Sequence, residues 1–429
     1  MNILMLYTHN PVATSGIIPV DLMKGFQKKG HKVKLVVNSY DPDYPADLVS
    51  METRFLFKKK NFIQRVTNKL RLKKPVATDP KYHFFDLDEK KKYYRTQSIL
   101  GKAQLKPDVI ILFFVKGFIN SQNIHELHRQ TNAPVFWLMY DMAPLTGGCH
   151  YAWECKGYQN QCGNCPGLHS TDPHDISFWN LQYKKEYLDK TNLHIVTASE
   201  WQYRQAKAST LFKNHPVHKI LTGFSEHIFK PVPKEDVRKK YGIGAGKKVI
   251  FFGAFYMSDE RKGMQYLLEA LRMLKEVLAN RELQDNVLLL IAGKGLDAIK
   301  DALPFAYHNL GMLDNTYGIA SAYQAADVFV CPSVEDSGPT MINQSMMCGT
   351  PVVSFEMGVA PDLVFSGKTG YKARLKDSKD LAHGINHVLS VSQDDYERMS
   401  ANCRKLAMEL FQPDVNINNW LKILNYTTK

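Results

Sequence analysis

Two rhythms of apolar and polar positions alternate along the 429 residues: short apolar runs, and longer stretches at helical spacing. A run of four to eight apolar residues bounded by turn residues reads as a strand buried on both faces. Apolar residues three and four apart read as a helix packed by one side. Residues 3–7, Ile-Leu-Met-Leu-Tyr, give the first strand, and the loop over 8–16 ends in Thr14-Ser15-Gly16. Ile18 to Lys29 is an amphipathic helix closed by Gly30, and Lys32 to Asn38 is the next strand. This βαβ order predicts a parallel, doubly wound sheet. Buried strands follow at 107–115, 134–140, 194–199 and 217–223, with helices at 178–191 and 201–208. Pro231-Val-Pro233-Lys reads as a linker. Beyond it the rhythm restarts, with strands at 247–253, 287–293, 327–331 and 352–355 and helices at 264–278, 317–326 and 340–347. The expected organisation is an N-terminal Rossmann-like domain over 1–230, a second over 231–410, and a terminal helix in 411–429 that crosses back to the first.

The stretch with most chemistry is 327–370. Strand 327–331 runs into a loop with Pro332, Ser333, Glu335 and Asp336, and Gly338-Pro339 opens the helix Thr340 to Met347. A strand, a small-residue loop and a helix start present free backbone N–H groups and a helix dipole to one spot, which suits an anion. A carboxylate beside that spot suits a phosphate that carries a sugar, whose hydroxyls Glu335 would accept.

On these residues the segment resembles the retaining nucleotide-sugar glycosyltransferases of family 4. The pattern is Pro-Ser, a Glu (Glu335), a second acidic position eight residues on, and Gly349-Thr-Pro-Val-Val353, followed in step by Gly358, Asp362 and Gly367 to Gly370. The second acidic position is Asn343, a departure. The resemblance implies the GT-B fold, two doubly wound Rossmann-like domains facing across a cleft. It also implies that the Lys262-Gly263 pair, with Arg261 beside it, neutralises the diphosphate of the donor. The backbone N–H groups at Gly338 to Thr340, a run with Pro339 (which itself has no N–H) at its centre, would meet sugar or phosphate, and Asn343 would bond the ribose. Gly16, in the loop after the first strand, would approach the donor phosphates and the acceptor. Asp141 follows Tyr140, where the family often has His-Asp; a phenol cannot serve as an imidazole near neutral pH, and His150 is a substitute nearby. Glu335, Lys262, Arg261 and Asp141 are thus the expected catalytic set. With cations supplied by side chains, catalysis needs no metal cofactor.

Composition changes the picture in two places. The formal net charge is +13, and nine Lys or Arg against one acid fall within 51–75. Phe57, Phe62, Ile63, Val66 and Leu70 interleave with those cations. That pattern fits a helix lying on an anionic membrane surface, at about 1 kcal/mol per basic residue, or a solvated helix whose stripe packs on its own domain. Nucleic acid is not expected, since no nucleic-acid module is present. Four of seven cysteines, Cys149, Cys155, Cys162 and Cys165, lie within a loop of seventeen residues. Close thiol spacing suits a structural zinc of four thiolates; free thiols are the alternative. No run of eighteen apolar residues occurs, and the N-terminus lacks a secretory pattern. The expected place is the cytoplasm, peripheral on the inner face of the membrane.

The expected activity is transfer of a sugar from a nucleoside diphosphate sugar to a glycan or lipid-linked glycan in cell-surface polysaccharide synthesis. Two rivals stay open: a nucleotide-sugar epimerase on the same architecture, and a non-catalytic sugar-nucleotide or lipid-binding partner.

Overall fold

The computed structural model describes residues 1–11, 17–39, 41, 44–52, 76–278 and 281–427. Gly16 and the basic stretch from residue 53 to residue 75 lie outside the described residues. The chain divides into two compact units: 1–198 with 203–220 and 417–429, and 199–202 with 221–416.

The first unit is built on a seven-stranded sheet. Its strands are β1 (Asn2–Tyr7), β2 (Lys32–Val37), β3 (Leu48–Ser50), β4 (Val109–Leu112), β5 (Val135–Leu138), β6 (Leu193–Thr197) and β7 (Val217–Lys219). They lie in the order β3-β2-β1-β4-β5-β6-β7, and every pairing is parallel. The order reverses between β1 and β4, so the chain leaves the sheet on opposite sides there and opens a crevice at the carboxyl ends. β4 and β5 are buried at every position, as strands covered on both faces must be. Helix Ile17–Lys28 covers one face through Leu22, Met23 and Phe26, and the terminal helix Pro413–Thr427 joins the same core with Ile417, Trp420 and Leu424.

The second unit has a six-stranded sheet of β8 (Lys248–Tyr256), β9 (Val287–Lys294), β10 (Ala306–Gly311), β11 (Val328–Cys331), β12 (Val352–Phe355) and β13 (Gly370–Ala373). Its order is β10-β9-β8-β11-β12-β13, again all parallel. The switch point lies between β8 and β11. Glycines permit the closest approaches of backbone here: a Cβ on Gly293, at φ +132°, would stand 1.7 Å from the Ala254 carbonyl oxygen.

The passage between units differs from the expected linker. Phe224 and Phe229 are buried in the second core with Val249 and Phe329, so the chain changes unit at 220/221, ahead of Pro231-Val-Pro233. Two apolar anchors outweigh the turn chemistry of the prolines. The return falls at 416/417, within helix Pro413–Thr427. The helices Ser378–Ser390 and Gln393–Phe411, and strand β10, were not among the elements expected from the pattern. No helix among the described residues is long and apolar enough to cross a membrane.

Candidate active site

The two loops that flank the switch point of the second unit meet. After β8, Asp259 caps a single turn over Glu260–Lys262 by accepting from the Arg261 N–H, and Gly263 ends the turn at φ +65°. A Cβ there would lie 1.9 Å from the Pro332 carbonyl oxygen, so glycine is required both for its φ and for the approach of the second loop. That loop, after β11, is stitched to the first by the N–H groups of Val334 and Glu335, which donate to the Arg261 carbonyl at 2.8 and 3.4 Å. Lys262 Nζ then reaches Asp336 Oδ2 at 2.6 Å. Burial pushes the Asp336 carboxyl up, but Lys262 and Arg261 outweigh it and hold the group below the usual carboxylate range.

The expected residues Lys262, Arg261, Glu335, Gly338, Pro339 and Thr340 are therefore brought together. Glu335 is 5% exposed and Arg261 8%, and the Arg261 guanidinium is engaged by Asp259. The Lys262 side chain stays 27% exposed, which makes it the cation best placed to meet a ligand. Gly338 donates to Asp336 Oδ1 at 3.3 Å. Pro339 precedes the helix Thr340–Met347 as its cap residue, without a side-chain cap bond, so the first N–H groups of that helix are left for other partners. Asn343 differs from its expected role: it is 2% exposed, and its Nδ2 donates to the Thr222 carbonyl at 3.1 Å. Here the amide ties the 222 turn to the helix.

Two residues of this site escaped the sequence pattern. Asp336 holds the lysine; the expectation had placed the sugar-facing role on its neighbour Glu335 alone. Ser337 is 5% exposed with no hydrogen-bond partner for its hydroxyl among the described residues, while its carbonyl accepts from Ser199 Oγ at 2.7 Å. An orphan hydroxyl beside an uncapped helix start costs free energy unless a ligand supplies the partner.

The first unit holds a second polar centre, past the carboxyl ends of β4 and β5. A pocket there is lined by Asp86, Phe114, Lys116, Tyr140, Asp141 and Lys184 among others. Asp141 is 6% exposed and accepts from the Ala143 N–H at 2.9 Å through Oδ1. Its Oδ2 lies 2.7 Å from His150 Nδ1, while Asp86 Oδ2 lies 3.4 Å from Nε2 of the same ring. Burial alone would lower the His150 pKa, but Asp141 and Asp86 raise it to about 9. Burial raises Asp86, yet His150, Lys184 and Lys116 bring it down to about 2. The imidazole is thus held as a cation between two carboxylates and is not poised as a base. Tyr140 Oη is buried with no hydrogen-bond partner among the described residues. Lys184 donates to the carbonyls of Ala143 and Thr146 at 2.7 and 3.0 Å, locking the loop that carries Asp141. Asp86 was invisible in the sequence, because it stands fifty-five residues before Asp141 with no motif around it.

Cys149, Cys155, Cys162 and Cys165 line one further pocket of the first unit. All four are free thiols. Among the described residues, no group of three or more His, Cys, Asp or Glu side chains is placed to hold a metal ion.

Comparison with known proteins bears on the same regions. Residues 246–391 match the family described as Glycosyl transferases group 1; this segment contains both loops of the second unit's site. An uncharacterized glycosyltransferase of Methanocaldococcus jannaschii is 25% identical over 293 residues, which cover 61% of this chain and 71% of that one. The chain spans only about a third to a half of the length of several further relatives that it matches. Sucrose-phosphate synthase from Thermosynechococcus elongatus superimposes with a TM-score of 0.68 over 100% of this chain and 99% of that one, at 16% identity. Anabaena HepE, solved with UDP and glucose, gives 0.63 over 99% and 100%, at 15% identity. At such identities the likeness speaks for the fold: two doubly wound sheets of seven and six parallel strands, as in GT-B proteins.

Proposed function

We propose, for a chain that is a GT-B glycosyltransferase with a group 1 domain over residues 246–391, that it moves a sugar from a nucleoside diphosphate sugar to a glycan or lipid-linked glycan acceptor, with retention at the anomeric carbon. The observation that carries this reading is the joining of a cationic turn and an acidic loop at the β8/β11 switch point, fixed by Lys262–Asp336 at 2.6 Å. As the glycosidic bond breaks, charge develops on the leaving diphosphate. Lys262 takes that charge together with the free N–H groups at the start of Thr340–Met347, and Ser337 Oγ supplies a neutral donor. Glu335 accepts hydroxyls of the sugar. Preorganised donors of this kind each contribute about 2.7–4 kcal/mol to a barrier. Anabaena HepE, solved with UDP and glucose, supports a nucleotide sugar as donor.

The acceptor is assigned to the pocket of the first unit. Its charged wall of Asp86, Asp141 and Lys116 and its apolar floor of Phe113, Val115 and Trp137 suit a sugar ring, polar at the rim and apolar on its faces. Since His150 is held as a cation, the proton of the attacking hydroxyl goes to the leaving phosphate, which lies on the same face in a retaining transfer. In this reading the acceptor belongs to surface polysaccharide assembly, and the basic stretch 51–75 keeps the enzyme in the cytoplasm against an anionic leaflet.

Screening nucleoside diphosphate sugars by thermal shift and then by transfer to extracted glycan and lipid acceptors tests the activity. Binding raises apparent stability, and the donor that shifts the melting point should label an acceptor. Isomerised donor with no acceptor present would instead favour an epimerase, and binding without transfer a non-catalytic partner. Replacing Lys58–Lys60 and Lys73–Lys74 by Glu tests the membrane role: sedimentation with anionic liposomes should be lost, and unchanged sedimentation would remove it.

A further inference from the structure

The second unit carries a groove that the sugar chemistry does not use. Lys248, the first residue of β8, and Asp327, the residue before β11, both line it. It therefore lies at the amino-terminal ends of these parallel strands, opposite the loops that hold Lys262 and Asp336. Its volume is about 970 Å3, at the upper end of what small-molecule sites enclose. Six Lys or Arg side chains line it against three carboxylates. Like charges gathered in one concavity repel each other and focus a field into it, which draws in an ion of the opposite sign.

The floor of the groove is built and fixed. Asp327 Oδ1 lies 2.7 Å from Lys234 Nζ, and its Oδ2 lies 2.8 Å from Arg238 Nη2. The Val249 N–H donates to the same Oδ2 at 2.7 Å. One carboxylate thus serves two cations, and the group keeps a positive charge. Lys234 Nζ also donates to the Tyr396 hydroxyl at 2.6 Å and lies 4.1 Å from the centre of that ring. The Tyr396 hydroxyl in turn donates to the Asp327 carbonyl at 2.9 Å, which ties helix Gln393–Phe411 to the start of β11. Arg404, from the same helix, donates to the carbonyls of Phe229 and Met347 at 2.7 Å each. Those partners are neutral and leave its charge in place. Lys248 and Lys405 are exposed and form no ion pair among the described residues. Beside this cationic wall stand Pro231, Val388 and Val391, an apolar strip.

We propose that this groove binds a small, soluble phosphorylated sugar at a site separate from the donor's. The phosphate meets Lys248 and Lys405 above the Lys234–Asp327–Arg238 floor, and the sugar ring rests on the apolar strip. Point charges on lysines suit a phosphate, and three apolar side chains in a row suit the C–H face of a ring. The cations are gathered in one hollow and not spread along a line, which favours a compact anion over a polymer or a bilayer. No bond is made or broken there. The site stands independently of the sugar-transfer reading.

Calorimetric titration of the full chain with glucose 6-phosphate at low ionic strength should show saturable binding. Inorganic phosphate should bind roughly tenfold more weakly, because it leaves the apolar strip bare. Lys248→Glu combined with Lys405→Glu should weaken glucose 6-phosphate by about tenfold or more. Both side chains are exposed, so the double variant should fold and turn over donor as wild type does. Lys262→Ala should leave the titration unchanged, since that lysine belongs to the other end of the strands. An affinity that the double variant does not alter, no saturable binding, or inorganic phosphate bound equally well would each overturn the proposal. So would displacement of glucose 6-phosphate by phosphatidylglycerol vesicles, which would give the groove to a lipid headgroup.

Discussion

Lys262 and Asp336 stand seventy-four residues apart in the chain and 2.6 Å apart at their charged atoms. They come from the loops after β8 and β11, neighbouring strands on either side of a topological switch point. The carboxylate aims the ammonium, and the ammonium keeps the carboxylate ionised in a buried place. In the proposed reading a bound donor offers the lysine a second anion, so that one side chain is both positioned and available.

Lys262→Ala should therefore lower kcat about 10²–10³-fold, as loss of one preorganised donor does, with a smaller change in donor KM. Asp336→Asn should cost less, because the cation survives without its guide. Steady-state kinetics with the donor found by thermal shift decide the order; equal losses would mean that Asp336 itself touches the substrate.

Gly263→Ala tests the stitching of the two loops. The new methyl group meets the Pro332 carbonyl at 1.9 Å from a backbone at φ +65°. Unfolding by denaturant should show a loss of about 1–3 kcal/mol for the strained backbone, with activity reduced further because the loops part. Gly242→Ala, also at positive φ but with nothing within 4 Å, should show the milder loss in stability and normal turnover.

Asp86 links the polar pocket of the first unit to pH. Its folded pKa of about 2 lies below the ordinary 3.8, so the charged form is favoured by folding. The stability this contributes is complete above about pH 4 and is lost as the pH falls through 2. The shift corresponds to about 2 kcal/mol. Acid unfolding of Asp86→Asn should lack that component of the pH dependence, although the variant is less stable at neutral pH; a parallel fall with wild type would refute the assignment.

Tyr140→Phe should leave the melting temperature unchanged or raise it slightly, because the lost hydroxyl is buried without a partner among the described residues. If the phenol meets the acceptor, acceptor KM rises several-fold while donor KM does not move. A fall in stability of more than about 1 kcal/mol would instead show a hidden structural bond.

The chain by itself determined the elements and their order. Short apolar runs bounded by turn residues read as strands buried on both faces, and the restart of the rhythm after residue 240 foretold a second sheet. The helix Thr340–Met347 and strand β12 fall where the pattern put them, because Gly338-Pro339 and Gly349-Thr-Pro351 punctuate both ends. Local chemistry likewise singled out Glu335 and Lys262 as candidates, and the two fall on loops that meet. What local chemistry could not supply was pairing between distant residues. Asp336 with Lys262, Asp86 with His150, and Asn343 with the Thr222 carbonyl each join segments far apart in sequence, and no period or spacing encodes such contacts. The change of unit at 220/221 was decided the same way, by Phe224 and Phe229 finding the second core. Backbone preference and hydrophobic period act over a few residues and can be read in order. Partners for buried charge are chosen only when each sheet gathers its own loops at the carboxyl ends of its strands, and that choice belongs to the tertiary structure.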